Sequence, residues 1–295
     1  MRSAMDLHLS HIAPLLALTI AVPSGVLRSQ ETREIGRTTE KELKVVVNTS
    51  FGSLHIARGD PGTVVVMESK KQKTGEFNCD YSVRNRVGYM DLTLGQGESG
   101  AEDSQGKKFH FADLKSGDWG LKFSDAIPIS FDLELGVGKG DLNLSGLQVK
   151  DLNLSTGASD VCLAFDEPNK STIENLNIEA GVSKFEGRNL GNANFRHFKF
   201  QGGVGTFKLD FSGETAREVD LDVQVGMGLL TMVIPSGIGA RVSYEKNWIS
   251  RVECPDDFSP NGDSEFVSSN FDNAKGRMLI RIESGVGSVK IRRAE

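Results

Sequence analysis

The stretch Phe198–Phe207, FKFQGGVGTF, decides how the rest of the chain is read. Phe198 and Phe200 alternate with polar residues, as in a strand with one apolar face, and alternation resumes at Phe207, Leu209 and Phe211. Between the two runs the chain must turn a corner within three or four residues. Gly203 sits there and allows both a positive φ and close approach of a neighbouring backbone. As a pattern, the stretch reads apolar-x-apolar-x-x-Gly-x-small-x-apolar.

That pattern recurs at Leu133–Leu142 (LELGVGKGDL), Leu152–Val161 (LNLSTGASDV), Leu176–Phe185 (LNIEAGVSKF), Leu221–Leu230 (LDVQVGMGLL) and Ile280–Val289 (IRIESGVGSV). A degenerate copy, Val45–Leu54 (VVVNTSFGSL), has Ser50 at the glycine position. The central glycines are Gly138, Gly157, Gly181, Gly203, Gly226 and Gly285, and the first five are 19, 24, 22 and 23 residues apart. Such steps fit one turn of a stacked coil, in which no coil covers its apolar face alone and neighbours share a core. The expected fold is all-β: a single-stranded parallel β-solenoid of about six to seven glycine-centred coils with an N-terminal β cap or flanking sheet. An antiparallel sandwich also explains short alternating strands, but not one motif returning at this period.

The expected layout is a signal peptide at 1–29, a linker at 30–42, a β cap or flanking region at 43–125, and the solenoid at 126–295 with an insertion at 241–277. Arg2 followed by the apolar run Ile12–Val22 and the small residues Ser24, Gly25 and Ser29 reads as an export signal. The run is too short to span a bilayer, and a retained N-terminal anchor stays the alternative. The final copy ends at Ile291, and Arg292 and Arg293 are expected to blunt an open strand edge with charge.

Composition narrows function. The chain has 295 residues with a net charge of -6, 33 glycines and only 8 prolines. A mildly acidic surface disfavours nucleic acid and anionic membrane, and Lys70, Lys71 and Lys73 read as a solvated strand end or loop. Cys79, Cys162 and Cys254 lack metal-type spacing and read as three isolated thiols, although one pair could form in an oxidising compartment. Of the histidines, His8 and His11 leave with the signal, while His55, His110 and His197 lie outside any GxSxG, HExxH or phosphate-loop context. Trp119 and Trp248 read as packing residues.

Aligned copies place Asp141, Asp160, Lys184 and Thr206 in one column. Adjacent coils lie ~4.8 Å apart, so two carboxylates there would shift each other's pKa and could form a metal or acid/base site. The preferred reading is a solvent-facing polar ladder. The segment Gly136–Leu144 (GVGKGDLNL) touches a Ca²⁺-binding nonapeptide pattern, but Lys139 replaces a required glycine and no tandem repeat follows. Asn153 and Asn177 are expected to form a structural amide ladder. No catalytic, cofactor-binding or metal-ligating residue is assigned, and no cofactor is called for.

Asp118–Leu147 (DWGLKFSDAIPISFDLELGVGKGDLNLSGL), its continuation through Val149–Asn169, and Met278–Arg292 (MLIRIESGVGSVKIR) resemble bacterial toast-rack envelope proteins. They are also similar to the cell wall-active antibiotics response family and to adhesin-like β-solenoids. The resemblance covers about residues 126–293 and implies an exported or membrane-associated β-solenoid with a role in envelope stress or adhesion. It transfers no catalytic residue. The expected function is a non-enzymatic exported envelope protein that binds an envelope protein or glycan as a monomer or weak homo-oligomer. The alternatives are a carbohydrate-active enzyme with an outer groove and a self-associating structural protein.

Overall fold

Strands with one apolar side must stack to bury it, and here they stack in parallel. The computed structural model describes residues 31–69, 78–95, 117–215, 217–245 and 250–294. The leader, Lys70, Lys71, Lys73, His110, Trp248 and all but the first residue of the polar stretch 95–108 lie outside the described residues. Seven long strands form the body: β2 (Glu42–Arg58), β7 (Pro128–Asn143), β8 (Gln148–Ala164), β9 (Ile173–Arg188), β10 (Phe195–Asp210), β11 (Glu218–Pro235) and β16 (Arg277–Ala294). They pair in that order, every neighbour parallel, within one open 16-stranded sheet.

Each long strand is a rung that doubles back on itself at an arch. In β10 the rings of Phe200 and Phe207 lie 5.3 Å apart, and those of Phe198 and Phe211 5.2 Å apart. The first leg of the rung therefore faces the second across the core. The alternation explains which residues meet there: Leu133 and Leu135 before the arch and Leu142 after it are all buried. Phe185 of one rung packs on Phe200 of the next at 5.5 Å, so the core runs continuously along the stack.

The arches depend on glycine. A Cβ on Gly203 would lie 2.7 Å from the carbonyl oxygen of Gly181 one rung below, and one on Gly226 would lie 2.8 Å from that of Gly203. The return turns depend on asparagine. Buried Asn169 donates from Nδ2 to the carbonyls of Val149 (2.7 Å) and Ala193 (3.1 Å), while its Oδ1 accepts from the Val149 N–H (2.9 Å). Asn192 repeats the role one turn later, donating to the carbonyl of Phe165 at 2.9 Å and accepting from the Glu214 N–H at 2.9 Å.

The two ends of the stack are closed in the same way. The legs of β2 are covered separately by parallel strands β5 (Val87–Leu94) and β6 (Gly117–Phe123). Antiparallel strands then follow: β4 (Asn78–Arg84) on β5, β3 (Thr63–Ser69) on β6, and β1 (Glu31–Gly36) on β3. At the other end β12 (Gly239–Tyr244) and β13 (Ser250–Glu253) cover the legs of β16, and β15 (Glu265–Ser268) and β14 (Phe258–Pro260) extend β12.

Several expectations change. Residues 31–36, read as part of a linker, form β1. Strand β2, placed in a flanking region, is a full rung in register with β7 from Leu43 to Ile56. The insertion at 241–277 supplies most of the cap over β16. The last repeat is therefore no open edge, because β11 pairs with one side of it and the cap with the other. Arg293 does not screen an edge. It donates to the carbonyls of Pro235 and Ile238, each at 2.9 Å, pairs with Asp257 at 2.7 Å, and lies 4.8 Å from the Phe258 ring centroid. Trp119 is buried in the core.

Three substitutions test this account. Gly203→Ala should cost about 1–3 kcal/mol in chemical denaturation, through overpacking against the rung below. Gly237→Ala, where a Cβ meets open space, should change stability by no more than about 0.5 kcal/mol; equal losses at the two sites would refute the close-approach argument. Asn169→Ala should cost about 2–3 kcal/mol because it strands buried backbone groups of two neighbouring turns. An unchanged midpoint would show that the Asn169 bonds are dispensable.

Candidate binding surface

The observed register dissolves the carboxylate column. Phe131, not Leu133, pairs with Leu152, so the copy read at Leu133–Leu142 is displaced by two residues. Asp160 then stands between Lys139 and Lys184, while Asp141 stands between His55 and Cys162. Thr206 follows Lys184 in the Asp160 column. The slip has a physical cause. The tenth position of the true copy is Gly140, which faces the core where other rungs place Val161, Phe185 or Phe207. A Cβ there would come within 2.9 Å of Leu135. A template demanding an apolar side chain slides on to Leu142, and period-two alternation does not resist a shift of two.

The outer faces carry short polar ladders. Asn177 Nδ2 donates to Asn153 Oδ1 at 2.9 Å, forming the expected amide pair, and Gln201 donates to Gln224 at 3.2 Å. Lys208 pairs with Glu186 at 3.0 Å, Arg196 with Glu174 at 3.0 Å and Arg277 with Glu218 at 3.0 Å. His55 lies between Asp118 (3.3 Å) and Asp141 (3.7 Å). All three cysteines are free and half-buried, and burial raises each thiol pKa, that of Cys254 to about 11. Reactive thiolates are thereby disfavoured at neutral pH.

Two features run the length of the arch edge. The first is a groove of about 910 Å³ floored by Gly136, Gly157, Gly181, Gly203, Gly226 and Gly285. Its wall is the in-register column Glu134, Ser155, Glu179, Gln201, Gln224 and Glu283, and Glu245 also lines it. The groove exists because glycines leave the floor without side chains. Among the described residues no lysine or arginine lines it.

The second feature is an apolar ridge. Phe51, Val137, Ala158, Val182, Val204, Met227 and Val286 stand in one register column. Val137, Val182, Val204, Met227 and Val286 are 42–65% exposed. Seven rungs make a line about 29 Å long at the usual strand spacing. Sequence reading passed over these residues because the glycine beside each breaks the alternation that marks a residue as inward or outward. The available signal was the large apolar residue lodged after the central glycine in nearly every copy. A contiguous exposed apolar strip of this kind marks a contact surface.

Among the described residues no helix is long and apolar enough to cross a membrane, and no cluster of three or more His, Cys, Asp or Glu is arranged to hold a metal. Comparison with curated proteins finds no match. The architecture is similar to that of a candidate cell-adhesion protein from Clostridium sporogenes, at 19% identity and a TM-score of 0.45, covering 90% of this chain and 99% of that one. It is also similar to a candidate adhesin from Bacteroides fragilis, at 15% identity and a TM-score of 0.35, covering 90% and 97% respectively. Residues 24–186, more than half of the chain's 295, match the family described as the N-terminal domain of toast_rack, DUF2154. The match begins well before the Asp118–Leu147 segment that first carried the resemblance and runs into β9, and the chain belongs to the toast-rack family.

Proposed function

We propose that this protein is an exported, non-enzymatic, adhesin-like component of the cell envelope that binds its partner along the arch edge. The rungs are read as seven coils of a β-solenoid, those from β7 to β11 joined by short return turns, with the segments between β2 and β7 and between β11 and β16 contributing caps. Export rests on the apolar run Ile12–Val22. Membership of the toast-rack family, which the sequence resemblance links to the envelope, supports the location.

The observation that carries the binding reading is the exposed apolar ridge beside a glycine-floored groove, repeated rung after rung. Regular columns of this length suit an extended partner surface. The enzymatic alternative loses its main support with the register: Asp160 has a lysine on either side in the ladder, and Asp141 is in another column.

Cosedimentation of the purified chain with envelope fractions from cells that express it should saturate with added protein. It should weaken at least about tenfold, the equivalent of ~1.4 kcal/mol, when Val182 and Val204 are both replaced by Asp. Retention indifferent to these changes would remove the arch edge from the function. Calorimetric Ca²⁺ titration should give no saturable heat with either wild type or Asp160→Ala. A saturable heat lost in the variant would reinstate a carboxylate site.

A further inference from the structure

We infer that the partner of the arch edge is a second copy of this chain, docked ridge to groove about a two-fold axis parallel to the ridge. This rests on the binding reading above, since it names the occupant of the same surface.

The argument begins with charge. On every rung the ridge residue is flanked by one outward column on the first leg and one on the second. Within single rungs these flanks read Glu134 and Lys139, Glu179 and Lys184, Ser155 and Asp160, Gln201 and Thr206. The first-leg flank carries Glu134, Glu179 and Glu283 and no cation, and both lysines, Lys139 and Lys184, are on the second-leg flank. Glu134, Lys139, Glu179 and Lys184 are all exposed, and neither lysine has an ion-pair partner among the salt bridges found within the described residues. A two-fold axis along the ridge brings equal rungs together and sets the first-leg flank of one copy against the second-leg flank of the other. Glu134 then meets the other copy's lysine at 139, and Glu179 the lysine at 184, each pair occurring twice by symmetry. A two-fold axis across the ridge reverses the order of rungs and sets first-leg column against first-leg column, with Glu179 of the middle rung opposite the other copy's Glu179. Like charges in that arrangement oppose association.

Shape points the same way. The groove runs beside the ridge, so a sideways offset lets each ridge lie in the other copy's groove, where the glycine floor leaves room for valine and methionine. End-to-end pairing of the long rungs is unavailable, because β2 and β16 are each already paired on both sides. The contact is a narrow strip about 29 Å long. That places it among small, transient interfaces of less than about 1,200 Å², with an expected dissociation constant on the order of 10–100 μM.

Sedimentation velocity of the full chain over a concentration series should show a monomer–dimer equilibrium in that range. Glu179→Lys and Lys184→Glu should each weaken it at least about tenfold, and the chain carrying both changes should recover the dimer. A concentration-independent monomer, or a double variant as weak as the singles, would overturn the proposal. For orientation, Val137→Cys chains alone should be joined by a short bis-maleimide beyond the level seen with the three native cysteines. Met227→Cys chains alone should be joined likewise, and joining seen only when the two variants are mixed would refute the parallel axis. Envelope fractions from cells lacking the gene separate this inference from the binding reading. Retention only on fractions that contain the protein supports self-pairing. Equal retention on both sinks self-pairing and leaves a different envelope partner on the arch edge.

Discussion

Each arch rests on a backbone carbonyl of the arch beneath it, and the whole stack depends on that approach. The glycine stripe from Gly136 to Gly285 lets the rungs come within hydrogen-bonding distance through the tightest part of their path. Because rungs stay in register there, every column on either leg is fixed. Apolar columns then close into one core from Leu43 to Ile291, and polar columns form short ladders outside. A side chain at the stripe would push one rung away from its neighbour and disturb both legs together.

The same stripe creates the surface proposed for binding. Omitting side chains at one position per rung leaves a trough, and the residue that follows it stands free of the core. Structure and binding surface thus share a cause, since the sequence that permits tight stacking also exposes a line of valines. The charges beside that line add direction, because glutamates on one leg and lysines on the other make its two sides unlike.

The fold was largely legible because its signal repeats. One copy of FKFQGGVGTF says little, but six copies, each able to cover its neighbours, leave few other ways to bury the apolar residues. Legibility failed where a residue broke the template for local reasons. Gly140 replaces an inward side chain because Leu135 and Val161 already fill that space, and the break moved a whole copy by two residues. The buried work of Asn169 and Asn192 was invisible because asparagine in a loop reads equally well as a solvated turn residue. The ridge was hidden by a change of strand parity at the arch. The caps could not be read at all from repeats, since they are built from short strands with no shared motif.

The placement of β16 has a consequence for assembly. Strands β12 to β15 precede it in sequence but lie beyond it in the ladder, so the segment made earlier has no sheet to join until the later one arrives. The chain can build rungs one after another from β7 to β11, each contacting the one just finished, and must then stop. Closure of that end comes in a single late event, when β16 slots between β11 and the waiting cap and Arg293 reaches Asp257. Until then β11 presents a long bare edge, the form of strand most prone to pair with the wrong chain. This makes the final segment a latch: the stack grows locally and is secured from its far end.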